Sequence, residues 1–480
     1  MLATSSSHTP VPWFQQLLPV DLPEREVEQG RRDGPAVRIR EGSPRQIGLG
    51  LLTAFCNPEL VDRVLATGGR LEQRCRRFPA RLVVYAILLM TLHPNLSYSK
   101  LLHHLAEAAP VPGSWRVPNK SSFARARVRL GFEVMEKLYR ALARPLAEKD
   151  AAGCWWRGRR VMAIDGTTLE LAPTPELEAA FGGPTAKRKE RTGLPQLRAV
   201  ALTECGTRAL VDVEMGRYRA GEIRLAAKLV RSVTPGMLIL ADRNFPGVNL
   251  WNSFTRAGAD LLWRAKDPIA NRIIERLPDG SYLALFGSGQ NSVTVRVIEY
   301  AVEGSDTIYR LLTNMLDPSA APARELAALY AERWEIETSI KEIKVTQAGS
   351  RALRSLSEDG VRQEFWANCL LYQLSRQLVY QAAMTIEDRD CDRISFSAAQ
   401  DAIRRSIVRV LGFAVRRVRA AVDHAIGELT ARAALIDRRP CSAPRVVRHR
   451  PPKFPSRARH PAPQSVRRSA SLEIFVVGAI

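Results

Sequence analysis

The spacing of apolar residues changes about one third of the way along the chain. From Ile47 to Ala109, apolar residues such as Val61, Val64 and Leu65 recur at steps of three and four, which predicts amphipathic helices. The run from Leu82 to Leu92 is apolar throughout, but it is too short to span a bilayer. We therefore interpret it as a buried helix within a small helical domain.

After Gly153, short apolar runs bounded by turn residues replace the helical period and predict strands. A helical stretch, Glu222 to Val233, interrupts the series between its third and fourth members. Strands followed by a helix and more strands predict an α/β (α+β) domain with a mixed sheet flanked by helices. The predicted strands are Arg160 to Asp165, Leu197 to Thr203, Ala209 to Glu214, Met237 to Asp242 and Ala259 to Arg264.

A second β-rich stretch, Ser292 to Asn314, alternates apolar and polar residues and precedes a helix that opens at Ala321-Pro322. It is interpreted as part of an insertion at about residues 268–320, after which the chain is helical to about Ile436. We therefore expect four parts. They are a mobile leader (1–45), a helical DNA-binding domain (46–150), a catalytic domain with the insertion (151–436) and a basic, proline-rich tail (437–480).

The net charge of the chain indicates which kind of partner it binds. The 480 residues include 71 Lys and Arg against 49 Asp and Glu, a net charge of +22, which creates a field that attracts polyanions. Nucleic acid is favoured over a merely basic surface. The seven cysteines form no CxxC pair, and the N-terminus lacks a signal-peptide pattern, so we expect a cytoplasmic protein without a membrane segment.

The segment from Val117 to Arg129 predicts a turn and a serine N-cap before a helix that carries Arg125, Arg127 and Arg129. Such a helix fits the recognition helix of a DNA-binding helix pair, which is the second helix of the two. An ordinary solvated helix fits equally well, because arginines at every second position spread around a helix. The sequence leaves both interpretations of this helix open.

The predicted helix from Leu326 to Lys344 carries an unusual stripe. Steps of three and four residues place Glu337 on one face of the helix among cations. Ile336 and Ile340 lie on the adjoining apolar side. Burial of that side would leave the face of Glu337 at the border between core and solvent. A solvated helix joined by salt bridges is the common alternative. The neighbouring aromatic residues favour a site that holds a metal, phosphates and an unpaired base. The stripe residues are Tyr330, Arg333, Glu337, Lys341 and Lys344, with Trp334 beside them.

Two aspartates follow apolar strands, Asp165 after Val161 to Ile164 and Asp242 after Gly236 to Ala241. Either one alone fits a capped turn. Metal-assisted phosphoryl transfer, however, needs several carboxylates delivered from rigid elements. Together with Glu337, the two aspartates are candidate ligands for such a site.

These segments resemble the insertion sequence 4 group of bacterial DDE transposases. The spacing of Tyr330, Arg333, Glu337 and Lys344 matches the Tyr-Arg-Glu-Lys signature of that group without a gap. Ile164-Asp-Gly-Thr-Thr and Leu240-Ala-Asp-Arg-Asn-Phe resemble the group's two aspartate segments, in the same order. Likeness extends over roughly residues 45–460.

The resemblance implies an RNase H-like catalytic domain in which Asp165, Asp242 and Glu337 bind two Mg²⁺ (or Mn²⁺) ions. It implies cut-and-paste movement through nicking, a hairpin intermediate and strand transfer, by a homodimer on double-stranded transposon ends and target DNA. The alternatives are an endonuclease that cuts without joining and a catalytically idle DNA-binding regulator. The implied DNA contacts are Tyr330, Arg333, Trp334, Lys341, Lys344 and Arg243, with Trp334 holding a displaced base.

Overall fold

A computed structural model describes residues 49–72, 78–107, 118–149, 151–185, 193–266, 270–302, 308–409, 415–436 and 474–476. The expected leader, residues 1–45, lies outside the described residues, and so does the expected basic tail apart from residues 474–476. No helix within the described ranges is long and apolar enough to cross a membrane.

Helices dominate the first part of the described chain, as the apolar spacing predicted. Every side chain from Leu82 to Leu92 is buried in the third helix, which confirms the buried helix. The helices are α1 (Leu51–Phe55), α2 (Pro58–Thr67), α3 (Ala80–Leu92), α4 (Tyr98–Glu107), α5 (Lys120–Leu130) and α6 (Glu133–Leu142).

Helix α5 corrects two expectations. Asn119, rather than a serine, caps it, because its side chain accepts a hydrogen bond of 2.8 Å from the Ser122 amide. Arg127 is buried and donates to Gln363 Oε1 at 2.8 Å and to Ser355 Oγ at 3.0 Å. Arg127 is therefore neither solvated nor available to DNA in this structure, and it ties α5 to a later helix of the chain.

The strands form one mixed sheet in the order β4-β3-β2-β5-β6-β10-β9-β8-β7. In its first half, β3 runs antiparallel to β2 and β4, whereas β2, β5 and β6 are parallel neighbours. Five strands in this order, with only the second reversed, form the RNase H-like sheet that the resemblance implied. They are β2 (Arg159–Glu170), β3 (Gln196–Glu204), β4 (Leu210–Arg217), β5 (Met237–Ala241) and β6 (Asp260–Arg264), and β1 (Trp155–Trp156) pairs with β2.

The predicted end of the first long strand at Asp165 is wrong. Strand β2 continues to Glu170, because residues from Asp165 onward keep their antiparallel pairing with β3 after β5 has ended at Ala241. Helices α7 (Pro175–Phe181), α8 (Glu222–Lys228) and α9 (Val248–Arg256) follow β2, β4 and β5 in the chain. The apolar sides of α8 and α9 cover one face of the sheet and enclose its main core.

The β-rich stretch extends this same sheet, since β10 pairs antiparallel with β6. The alternation from Ser292 to Asn314 is confirmed as two strands, and two more precede them. A short strand from the end of the chain, β11 (Ile474–Val476), pairs antiparallel with β9, where the sequence indicated only a tail. The strands are β7 (Ala270–Arg276), β8 (Tyr282–Phe286), β9 (Val293–Val302) and β10 (Tyr309–Thr313).

The remaining described elements are helical, and most residues of the longest helix are buried. This helix, α12, packs against α3 and α6 of the first helical region and thereby joins that region to the sheet. The helices are α10 (Ala323–Leu329), α11 (Trp334–Lys341), α12 (Glu358–Ala383), α13 (Phe396–Arg409) and α14 (Val415–Thr430).

Candidate active site

The two predicted aspartates come from neighbouring parallel strands. Ile164 of β2 lies opposite Ala241 of β5, so Asp165 and Asp242 are the next residues of each strand at the same edge of the sheet. The Asp165 carboxylate accepts a hydrogen bond of 2.7 Å from the Gly166 amide. The Asp242 carboxylate accepts from the amide and side chain of Asn244 at 2.8 and 3.1 Å. Both carboxylates are therefore held by local backbone geometry.

Arg333 links Glu337 to Asp165 at this edge of the sheet. The Arg333 guanidinium donates to Glu337 Oε1 at 2.9 Å and lies 3.6 Å from Asp165 Oδ2. The first contact is a helical i,i+4 pair, and the second crosses from the helix to β2. One buried cation thus joins two of the three carboxylates that the sequence singled out.

The environment of Asp165 is costly for a negative charge. Burial raises its pKa to about 7, and the nearby carboxylates of Asp242 and Glu337 add to this, although the Gly166 amide and Arg333 oppose it. Asp242 and Glu337 are therefore near enough to Asp165 to raise its pKa. A nearby cation would lower the cost of the negative charge on Asp165.

The helix that carries the stripe is not the single element that the sequence predicted. Tyr330–Arg333 forms one 3₁₀ turn, α11 follows, and Glu342–Gln347 is π-helical. A π-helical turn contains an extra residue, a feature that often occurs at functional sites. The stripe therefore does not run straight along a rim, and two of its members, Tyr330 and Arg333, are buried.

Tyr330 and Lys344 are engaged by the protein itself. The Tyr330 hydroxyl donates to the carbonyl of Ala241 at 3.1 Å, directly before Asp242. Lys344 Nζ donates to the Thr168 carbonyl at 2.8 Å on β2. Both side chains thus support strands that carry an aspartate, and their predicted contacts with DNA phosphates remain predictions.

The substitution Tyr330→Phe distinguishes support of strand β5 from contact with a DNA phosphate. We expect it to lower the free energy of unfolding by about 0.5 to 1.5 kcal/mol, because a buried carbonyl loses its partner, while DNA affinity and its salt dependence stay unchanged. Urea unfolding and fluorescence anisotropy with duplex DNA measure the two quantities. Tyr309→Phe, in the same sheet, is the control, since the structure gives its hydroxyl no hydrogen bond to a described residue. Weaker DNA binding by Tyr330→Phe alone would instead indicate a phosphate contact.

The remaining predicted DNA contacts lie nearer to solvent. Lys341 and Arg243 are exposed, and Trp334 is half-buried with the Arg333 guanidinium 5.3 Å from its ring centre. An indole beside an arginine is the kind of aromatic group on which bases stack. Arg243 follows Asp242 in the chain, and Trp334 and Lys341 belong to the helix that carries Glu337.

Sequence reasoning missed a buried ion cluster on the opposite side of α11. Arg208 pairs with Glu335 at 2.8 Å, with Glu342 at 3.3 Å and with Asp392. Arg376 pairs with Glu342 as well. A signal was present, because Glu335 and Glu342 are seven residues apart and so lie on one helix face, roughly opposite the face of Glu337.

Within the ranges that the structure describes, no group of three or more His, Cys, Asp or Glu side chains is close enough together to hold a metal ion. The guanidinium of Arg333 instead lies between Asp165 and Glu337. The donor types nevertheless fit a hard divalent cation, because carboxylate oxygens are the ligands that such cations prefer.

Comparison with known proteins agrees with this geometry. Residues 46–140 match the family described as insertion element 4 transposase N-terminal, and residues 156–374 match the transposase DDE domain. The chain is 28% identical over 418 residues to the transposase InsG for insertion sequence element IS4 of Escherichia coli (strain K12), covering 84% of this chain and 92% of that protein. The chain belongs to the insertion sequence 4 family of DDE transposases. It is therefore a DNA transposase, an enzyme that depends on divalent metal.

Two further likenesses are weaker. A putative transposase InsZ of Escherichia coli (strain K12) is 24% identical to this transposase over 219 residues, 45% of this chain and 72% of that protein. A cryo-EM structure of the piggyBac transposase synaptic complex with hairpin DNA aligns with a TM-score of 0.43 and 10% identity, over 79% of this chain and 86% of that chain.

Proposed function

We propose that Asp165, Asp242 and Glu337 are the catalytic carboxylates of this transposase and that they hold two Mg²⁺ or Mn²⁺ ions. The observation that supports this is the placement of both aspartates at one edge of parallel strands, with Glu337 linked to Asp165 by Arg333. Divalent ions bound there supply stabilisation of charge on the phosphoryl oxygens and activation of the attacking oxygen.

The protein's own side chains prepare this site. Arg333 holds Asp165 and Glu337 within reach of one cation, and Asn244 fixes the orientation of Asp242. Lys341 and Arg243, which are exposed, are proposed to contact phosphates of the DNA, and Trp334 is proposed to stack on a displaced base. Arg333 and Lys344 are proposed contacts that would first leave their present partners, and the Tyr330→Phe variant decides whether Tyr330 joins them.

The proposed reaction is cut-and-paste movement of the element, in which each end is nicked, closed as a hairpin, reopened and joined to target DNA. Chemistry at two ends favours a homodimer that acts on chromosomal DNA in the bacterial cytoplasm. The proposed division of the chain is a leader (1–45), a DNA-binding helical domain (46–150), a catalytic domain (151–436) and a DNA-contacting tail (437–480).

A plasmid that carries the inverted repeats flanking the gene tests this function. With Mg²⁺, we expect the full-length protein to produce nicked plasmid, an excised fragment with hairpin ends and joined products with a second plasmid. Chelation of the metal should abolish all three products. Denaturing gels identify the hairpins, because a closed end doubles the length of the single strand.

Other product patterns contradict parts of the proposal. Sequence-specific binding without any metal-dependent cleavage would indicate an idle regulator. Cleavage without joined products, even from ends supplied already cut, would indicate an endonuclease. Excised linear fragments with open ends would exclude the hairpin route and leave the carboxylate assignment intact.

A further inference from the structure

An open cleft of about 620 Å³ lies beside the catalytic edge and includes none of the catalytic carboxylates. The start of β3, the turn after β4 and the beginning of α8 form most of its walls, and the segment after β5 completes them. The side chains that give it its chemistry are Arg198, Tyr218, Arg219, Glu222, Ile223 and Asn244.

The cleft is continuous with the catalytic edge at two points. Asn244 lines the cleft and also binds both oxygens of the Asp242 carboxylate. Glu222 packs so closely on Gly166, the residue after Asp165, that a Cβ at Gly166 would lie 2.8 Å from its carboxylate. A chain that passes the two aspartates therefore enters this cleft directly.

Contacts from Arg198 brace the wall at Tyr218, and its side chains suit an unpaired base. Arg198 donates to the Tyr218 carbonyl at 2.9 Å and lies 5.5 Å from the centre of its ring. The second interaction of Arg198, an ion pair with Glu222, fixes the neighbouring wall. Ile223 is 44% exposed, which is unusual for a large apolar side chain. An aromatic ring and an apolar side chain together form a surface on which a base stacks.

The charge of the cleft is positive. Arg219 is exposed, and its described partner is the neutral hydroxyl of Thr185 at 3.3 Å. The arginines next in sequence to lining residues, Arg217, Arg224 and Arg243, are also exposed, and no carboxylate of the described residues pairs with them. Arg198 already neutralises Glu222. Among the lining residues Arg219 is thus left for a phosphate, and the three neighbouring arginines add to the positive charge beside the cleft.

We propose that this cleft binds a single DNA strand where it leaves the catalytic carboxylates, with a base on Tyr218 and a phosphate on Arg219. The inference rests on the proposed function of Asp165 and Asp242, because their position decides which strand reaches the cleft. The strand is either the flank of the donor end or the target strand, since both have the same chemistry. Duplex DNA offers no free base to stack on Tyr218, because its bases are already stacked on one another.

Binding of a short, fluorescein-labelled oligothymidine to the full-length protein, without divalent metal, tests the cleft independently of cleavage. We expect Arg219→Glu to weaken binding about tenfold and to reduce its salt dependence. Tyr218→Leu should weaken binding about fivefold or more through lost stacking. The matched control is Arg256→Glu, the same change at an exposed arginine that ends α9. Its neighbour Gly258 packs on Pro235, before β5, at the opposite edge of the sheet.

Photocrosslinking identifies the source of the strand. With 5-iodouracil placed at successive positions of the donor flank or of the target strand, an adduct on Tyr218 is expected from one of the two substrates. Adducts from the donor flank or from the target strand each support the cleft and assign its occupant. Equal binding by Arg219→Glu and Arg256→Glu, or no adduct on Tyr218 with either substrate, would overturn the inference. Failure of the protein to nick DNA while these adducts form would contradict the proposed function and leave the cleft in place.

Discussion

Asp165→Asn should slow nicking of the element end by at least about a thousandfold, which corresponds to ~4 kcal/mol of transition-state stabilisation. The asparagine has the same shape but loses a negatively charged oxygen, and divalent ions need that oxygen as a ligand. Binding of the DNA end should change by less than about threefold, because the cations that contact phosphates are untouched. Nicking is measured in single turnover, and binding is measured by anisotropy.

The stability of the same variant provides a second readout. Because the folded-state pKa of Asp165 is raised to about 7 from 3.8, the wild-type protein without metal loses stability as pH rises between these values. Asparagine carries no such penalty. The variant should therefore gain thermal stability over the wild type as pH increases from 5 to 8, and divalent metal should stabilise only the wild type.

Asp260→Asn is the matched control. Asp260 begins β6, at the opposite edge of the same sheet, and it too pairs with an arginine, Arg159. We expect this variant to nick DNA at close to the wild-type rate. Equal nicking by the Asp165 and Asp260 variants would remove Asp165 from the catalytic set, and loss of DNA binding by Asp165→Asn would assign its effect to folding instead.

Arg208→Met should lower the free energy of unfolding by about 3 to 5 kcal/mol, because it leaves buried carboxylates without a partner. Arg208 is 4% exposed and faces Glu335, Glu342 and Asp392. With Arg376, two cations already face three carboxylates, and burial raises the pKa of Glu335 to about 6. Removal of one cation makes this imbalance larger. Urea unfolding at pH 8 measures the loss.

The effect of this substitution should depend on pH. Without Arg208, the carboxylates bind protons more readily, and protonation removes their charge, so the stability loss should shrink as pH falls from 8 to 5. Nicking should fall as well, since Glu335 and Glu342 hold the helix run that carries Glu337. Here Arg208 acts as a positioning residue, and a change in the metal concentration needed for half-maximal nicking would reveal that role.

A second arginine provides a close control. Arg157, like Arg208, has a positive φ angle, 46° against 58°, and it pairs with Glu325 at 2.6 Å, but its side chain is 41% exposed. Arg157→Met should therefore cost less than about 1 kcal/mol. If both substitutions cost the same, or if the loss at Arg208 does not vary with pH, the buried cluster is not the source of stability that we infer.

The sequence by itself determined the class of fold and the identity of the candidate carboxylates. Period-two and period-three-to-four patterns placed the strands and the buried helix, because burial of one face is a local property of the chain. The spacing from Tyr330 to Lys344 and the strand-borne Asp165 and Asp242 indicated the chemistry, since these residue types suit a phosphoryl-transfer site.

Only the tertiary structure decided what each side chain touches. It placed Arg127 against Gln363 rather than in solvent, and the Tyr330 hydroxyl on the carbonyl of Ala241. It also brought Arg208 to Glu335 from 127 residues away. The physical reason is that a hydrogen bond or ion pair between distant segments leaves no period in the sequence. Its strength depends on burial, which only the packing of the whole chain creates.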